Sequence, residues 1–147
     1  MPHAGLMEEQ RLGPVEGPLQ RARLHIRGGK RRLRQGKISA GIVTLYDAVS
    51  AAMDFYAATH GGNALAVMPG ENIHDERTLY SVLVRSGVVD GAFDFTAFDR
   101  LTETALDSDL NGYDYRPLLA GIELLMQQLG VMPFDEAVLP AEDPATF

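Results

Sequence analysis

The chain has 147 residues, 46% of them hydrophobic, which fits one globular domain with a core of ordinary size. It contains no cysteine, and this excludes disulfides, thiol nucleophiles and cysteine-ligated zinc. The formal net charge is −7, from 13 basic and 20 acidic residues; residues 21–37 (the basic run) hold eight of the basic ones and no acidic one, which leaves −15 for the rest.

The N-terminal part is predicted to be irregular. Residues 1–17 are rich in glycine and proline, which predicts a flexible lead-in without a secretion signal. From Leu19 a thin helical stripe of apolar residues begins, and Gly28 and Gly29 interrupt it. Two glycines cost a helix about 2 kcal/mol relative to alanine, so we expect a break at this point.

The next segment carries the clearest helical pattern. Apolar side chains recur every three or four residues from Ile38 to Tyr56, and small residues occupy the neighbouring positions. We predict a helix on which a neighbour can pack closely, ending at His60 because Gly61 and Gly62 follow. No uninterrupted apolar run approaches the length of a membrane span, so we expect a cytoplasmic protein without a membrane partner.

Three shorter helices are predicted in the second half. One opens near Asp75 and runs to Gly87; the next starts at Phe95, with Thr96 and Asp99 as a capping pair. The last is entered through Pro117 and stopped by Gly130. Together these patterns predict an all-α fold: a four- to five-helix up-and-down bundle over residues 18–131. The bundle has a basic N-terminal segment, and an extended, proline-rich C-terminal tail (residues 132–147) follows it.

The basic run is the first candidate for a function. Clustered cations bind polyanions in a salt-dependent way, which makes an accessory nucleic-acid-binding protein one hypothesis. Its candidate residues are Arg27, Lys30, Arg31, Arg32, Arg34 and Lys37. No aromatic residue for base stacking lies within the run, so a solvated or self-complementary face is the competing interpretation. Acidic partners for such a face, within the chain or across a dimer, are Asp94, Asp99, Glu103, Asp107 and Asp109.

Two short acidic stretches have the composition of metal sites. Asp107, Asp109 and Asn111, followed by glycine, match the first positions of a calcium-binding loop, but the position of the bidentate glutamate is Leu118. An ordinary interhelical turn accounts for the same residues.

Glu71, His74 and Asp75 form the second stretch, which includes one Glu-x-x-His pair. A metal-dependent enzyme is therefore a further alternative. The start of a helix explains the same residues, and we predict no cofactor.

Residues 36–57 (GKISAGIVTLYDAVSAAMDFYA) and 113–140 (YDYRPLLAGIELLMQQLGVMPFDEAVLP) resemble small bacterial helical proteins of unassigned function. The layout is loosely similar to HEPN-type helical bundles. That family includes RNA-cleaving toxins and binding modules, so the resemblance implies a helical bundle with one of these two activities.

The catalytic motif of HEPN proteins is arginine, four to six residues, then histidine. Arg21 and Arg23 lie only four and two positions before His25, and no arginine has the required spacing before the other histidines. The resemblance therefore implies a binding module.

These observations lead to one functional prediction. We expect a non-enzymatic helical protein-interaction domain that self-associates as a homodimer, because an apolar, alanine-rich face spans residues 38–58 and opposite charges are segregated. A partner protein or a nucleic acid is the alternative partner.

Overall fold

A computed structural model of the chain describes the backbone of residues 9–147, and the side chains in that range except those of residues 9, 10, 61–63 and 146. The described part holds five α-helices and no strand, so the predicted all-α bundle is confirmed. The helices are α1 (Glu9–Arg34), α2 (Ile38–Ala64), α3 (Glu76–Arg85), α4 (Phe95–Asp107) and α5 (Arg116–Gln128). Two short 3-10 turns, Glu136–Val138 and Pro144–Thr146, lie in the C-terminal tail.

Helix α2 is the centre of the bundle and packs against each of the other four helices. Its predicted apolar stripe is buried: Ile42, Leu45 and Val49 are all 0% exposed. Three of its alanines, Ala48, Ala51 and Ala52, are also buried, whereas Ala40 and Ala58 are exposed. The middle of the face predicted to pair with a second molecule is therefore buried within the same chain, where α1 makes most of the contacts of α2.

Glycines allow α1 and α2 to approach closely, and they correct one prediction. A Cβ atom at Gly29 would lie 2.7 Å from Leu45 Cδ2, and one at Gly41 would lie 2.7 Å from Leu33 Cδ2. Helix α1 continues through Gly28 and Gly29, so the predicted break is wrong. Close packing against α2 offsets the low helix propensity of these glycines, a tertiary effect that a single segment does not reveal.

The ends of the two long helices also differ from the predictions. Helix α1 already covers residues 9–17, with one non-helical residue, Gly13 at φ 86°. Pro14 directly follows that kink, where the missing N–H costs no helical hydrogen bond. The predicted lead-in is thus helical from residue 9 on; residues 1–8 lie outside the described residues. Helix α2 runs past Gly61 and Gly62 and ends before Leu65, which is extended and 6% exposed.

The three shorter helices begin and end close to the predicted positions. Asp75 caps α3 by accepting a hydrogen bond from the Thr78 amide, and Asp94 caps α4 through the Ala97 amide. The predicted capping pair of Thr96 and Asp99 is therefore wrong. The Asp99 carboxylate instead pairs with Arg77 of α3.

One segment of α2 has the length and composition of a membrane span. This segment, Ile38–His60, has a mean hydropathy of 1.2, and half of it is buried within the structure. The core helix of a packed bundle passes the same test, and α2 is such a helix.

Candidate functional site

The basic run forms most of α1, and most of its candidate residues contact groups of the same chain. The Arg27 Nη2 donates to the Pro140 carbonyl at 2.6 Å, and the Lys30 ammonium lies 3.9 Å from Glu123. The Arg31 guanidinium, 8% exposed, pairs with Glu142 at 3.1 Å. None of these three partners was among the acidic residues expected to face the run: Glu123 belongs to α5, and Pro140 and Glu142 belong to the tail.

The other three polyanion candidates lie near the turn between α1 and α2. The Arg32 Nη1 donates to the Thr44 hydroxyl at 3.3 Å. Arg34 and Lys37 are exposed. The cationic surface presented to solvent is thus much smaller than the sequence suggests.

A histidine and an arginine of α1 share one carboxylate of α2. Asp47 accepts from Arg21 Nη2 at 2.6 Å, and its other oxygen lies 2.9 Å from His25 Nε2. Burial alone would raise the pKa of Asp47, but the hydrogen bonds and charges of His25 and Arg21 lower it below its ordinary value. The carboxylate is therefore ionised and stabilises the packing of α1 on α2.

The loop that resembles a calcium site is fixed by other contacts. The Asn111 amide donates to Asp109 at 2.9 Å, and the Ser39 hydroxyl of α2 donates to the Ser108 carbonyl at 2.6 Å. Asp107 is the last residue of α4 and is exposed. Over the residues whose side chains are described, no group of three or more His, Asp or Glu is placed to hold a metal ion.

The second metal candidate is held by an ion pair and a helix cap. Glu71 accepts from Arg85 at 2.7 Å and 2.9 Å and also from the Met68 amide. These hydrogen bonds lower the pKa of Glu71 to about 2. Asp75 caps α3, and His74 is exposed. Glu71 and Asp75 thus have separate structural roles.

A concave surface lies between α4 and α5 (the α4–α5 groove). Its cavity volume is about 520 Å³, within the range of roughly 300–1,000 Å³ common for ligand sites. Apolar and aromatic side chains make most of the surface: Phe93, Phe98, Leu101, Tyr113, Leu118, Leu124 and Leu125. Gly121 makes room for one of them, because a Cβ there would lie 3.1 Å from Phe93 Cδ1.

The edge of the groove is acidic. Asp90 and Asp94 both line it, and no Lys, Arg or His is among its described lining residues. The Ala92 amide and the Gln128 side chain donate to Asp90, which lowers the pKa of this carboxyl below its ordinary value. The groove therefore combines an apolar floor with fixed negative charge.

Sequence patterns did not single out this groove. The predicted stripe of α5 includes Leu125, which is 2% exposed, whereas its neighbour Leu124 is 49% exposed. The sequence signal that could have indicated the groove is Leu124, an apolar residue outside the helical stripe of α5. No local sequence pattern indicates that Asp90 lies beside α5, because this proximity depends on how the helices pack.

Comparison with known proteins finds no matching family model, no similar curated protein and no similar solved structure. The surfaces of the chain itself are therefore the basis for any proposed function.

Proposed function

We propose that this chain is a non-enzymatic protein-interaction domain whose contact surface is the α4–α5 groove. The observation that carries this proposal is the cluster of apolar and aromatic side chains that lines this one open concavity. Leu124 and Tyr113 are 49% and 37% exposed at the groove. Exposed apolar and aromatic residues clustered in one concavity are typical of docking sites.

The charge of the groove selects the partner. Asp90 and Asp94 give it negative charge without a compensating cation among the described lining residues. An amphipathic helix that carries Lys or Arg beside its apolar face would fill the floor and pair with this edge. A second copy of this chain, with a net charge of −7, is the less favourable occupant.

Polyanion binding has weaker support than protein binding. Of the six candidate cations in the basic run, only Arg34 and Lys37 are exposed. Two cations account for little counterion release, whereas the groove offers a continuous apolar surface.

The test uses a fluorescent helical peptide of Leu, Ala and Lys, with leucines at i, i+3, i+4 and i+7. We expect the wild-type chain to bind this peptide, and the Leu124→Lys variant to bind it at least about tenfold more weakly, the equivalent of 1.4 kcal/mol. The matched control is Leu106→Lys, which changes a 67% exposed leucine of α4 outside the groove.

Three further results decide the proposal. The Asp90→Asn variant should bind the peptide more weakly than the wild type does, and added salt should weaken binding to the wild type. A peptide with Glu in place of Lys should not bind. Equal losses in Leu124→Lys and Leu106→Lys would contradict a site in the groove. Light scattering of the chain alone separates the proposed interaction from self-association, since a mass of 16.0 kDa is the monomer.

A further inference from the structure

The C-terminal tail contacts α1 through a series of arginine side chains. Arg23 Nε donates to the Val131 carbonyl at 3.0 Å, just before the tail begins. Further along, Arg27 donates to the Pro140 carbonyl at 2.6 Å, and Arg31 Nε reaches both carboxylate oxygens of Glu142, at 3.1 and 3.2 Å. Residues 132–147 contain four acidic and no basic side chains, so their charge complements this face of α1.

Aromatic rings of the tail lie on the same arginines. The Arg23 guanidinium lies 5.4 Å from the centre of the Phe134 ring, and Arg31 lies 4.6 Å from that of Phe147. Such cation–π contacts are worth about 0.5–1 kcal/mol each when exposed. The face thus recognises a carboxylate, a main-chain carbonyl and two aromatic rings in one extended segment.

The α1 side of this contact is shaped around the carboxylate. A Cβ atom at Gly28 would lie 3.0 Å from Arg32 Nη1 and 3.5 Å from Glu142 Oε1, so the glycine leaves room for both groups. Burial and the adjacent charge of Arg31 lower the pKa of Arg32, and the Glu142 charge acts in the opposite direction. An anion at this position therefore relieves the repulsion between two neighbouring guanidinium groups.

The tail is attached by these polar and cation–π contacts and by Met132 and Phe134, which are partly buried against the core. None of the described side chains of residues 132–147 is buried, and Val138 and Phe147 are 76% and 52% exposed. A segment with so little apolar burial opens at a lower free energy than the helical core. Its detachment would expose the α1 face without unfolding the bundle.

We propose that Arg23, Arg27, Gly28 and Arg31 form a binding surface for acidic, aromatic peptide segments, and that the C-terminal tail is its resident ligand. A segment of another polypeptide with the same chemistry displaces the tail and takes its place. The tail then acts as an intramolecular competitor that sets which external segments bind. This surface is separate from the α4–α5 groove and does not depend on the function proposed for it.

The experiment uses the full chain and a fluorescent synthetic peptide of residues 132–147 as the probe. In wild type the attached tail competes at an effective concentration in the millimolar range. The Glu142→Lys variant keeps the binding surface but weakens the attachment of its own tail. We expect this variant to bind the probe at least about tenfold more tightly than wild type does.

Two sets of changes test the assigned chemistry. Adding Arg31→Gln to the Glu142→Lys chain should abolish the gain in affinity. Probe peptides in which Glu142 is replaced by Gln, or Phe147 by Ala, should bind the Glu142→Lys chain several-fold more weakly. These peptide changes leave the protein unaltered, so they decide the matter even if the double variant fails to fold. Equal binding by wild type and Glu142→Lys, or equal binding of all three peptides, would overturn the proposal.

Discussion

The tail-covered face of α1 and the α4–α5 groove are opposite in character. The α1 face has the densest charge in the sequence, yet Arg31 on it is 8% exposed and ion-paired. The groove comes from an unremarkable part of the sequence, yet it leaves Leu124 about half exposed beside two carboxylates. A conspicuous sequence feature can thus be satisfied inside the chain, while an inconspicuous one provides the open surface.

The physical reason for this difference is that availability depends on packing. Charged side chains find partners wherever the fold brings an acceptor, and here the tail and α5 bring Glu142 and Glu123 to α1. Apolar side chains stay exposed where no neighbouring element covers them, as along the α4–α5 groove. The following predictions test both halves of this comparison, beginning with the largest effect.

The α1 face depends on the close approach of α1 and α2, which Gly41→Val should disrupt. A Cβ at Gly41 would lie 2.7 Å from Leu33 Cδ2 and 3.2 Å from the Gly29 carbonyl oxygen. Both neighbours are buried, so overpacking should lower the free energy of unfolding by about 3 kcal/mol. Ala40→Val, at the exposed adjacent position, is the control and should change it by less than about 1 kcal/mol. Urea unfolding measures both; similar losses would contradict the close approach.

The second prediction compares two arginines of the basic run. Arg31→Gln removes the charged partner of Glu142 and should lower the free energy of unfolding by about 2 kcal/mol. It should also make the tail more sensitive to proteolysis, because the segment is then held by fewer contacts. Arg34 is exposed, so Arg34→Gln should change stability by less than about 0.5 kcal/mol. Equal effects at the two positions would show that the tail does not cover this face as described.

Much of the fold was accessible from the sequence, because local periodicity determines which face of a helix is buried. Ile42, Leu45 and Val49 are completely buried, as their spacing predicted. Gly28 and Gly29 were misinterpreted, because their role is contact between two helices and not local conformation. Helix α2 likewise continues past Gly61 and ends directly before Leu65, a residue of the core.

The candidate surfaces could be predicted from the sequence only in part. The sequence identified the six cations but not their partners. The two arginines that contact Pro140 and Glu142 lie more than 90 residues from these partners in sequence. No local pattern specifies such contacts. The metal candidates were groups of carboxylates near in sequence, and the structure assigns Glu71 to Arg85 and Asp75 to a helix cap instead.

The third prediction concerns the shape of the groove. A Cβ at Gly121 would lie 3.1 Å from Phe93 Cδ1, so Gly121→Ala should push this ring into the groove. Higher helix propensity offsets part of the crowding, and stability should change by less than about 1 kcal/mol. Affinity for the cationic helical peptide should nevertheless fall several-fold. Anisotropy titration checks this result, and unchanged affinity would place the peptide elsewhere on the molecule.

The smallest effect is expected at the Glu71–Arg85 pair, which belongs to neither surface and is partly exposed to solvent. The pKa of Glu71 is about 2 in the folded chain, compared with its ordinary value of 4.5, because Arg85 and the Met68 amide donate to the carboxylate. A lowered pKa means that the pair stabilises the fold above pH 4.5, and that this contribution disappears as the pH falls toward about 2.

Other carboxyls with lowered pKa values, such as Asp47 and Asp90, contribute to acid unfolding in the same direction. The comparison of wild type with Glu71→Gln isolates the one pair. The melting temperature of wild type should exceed that of the variant by a constant small amount above pH 4.5, and the two should converge near pH 2. The difference should also shrink in high salt, since the pair is partly exposed to solvent. A difference that grows as the pH falls would contradict the assigned ion pair.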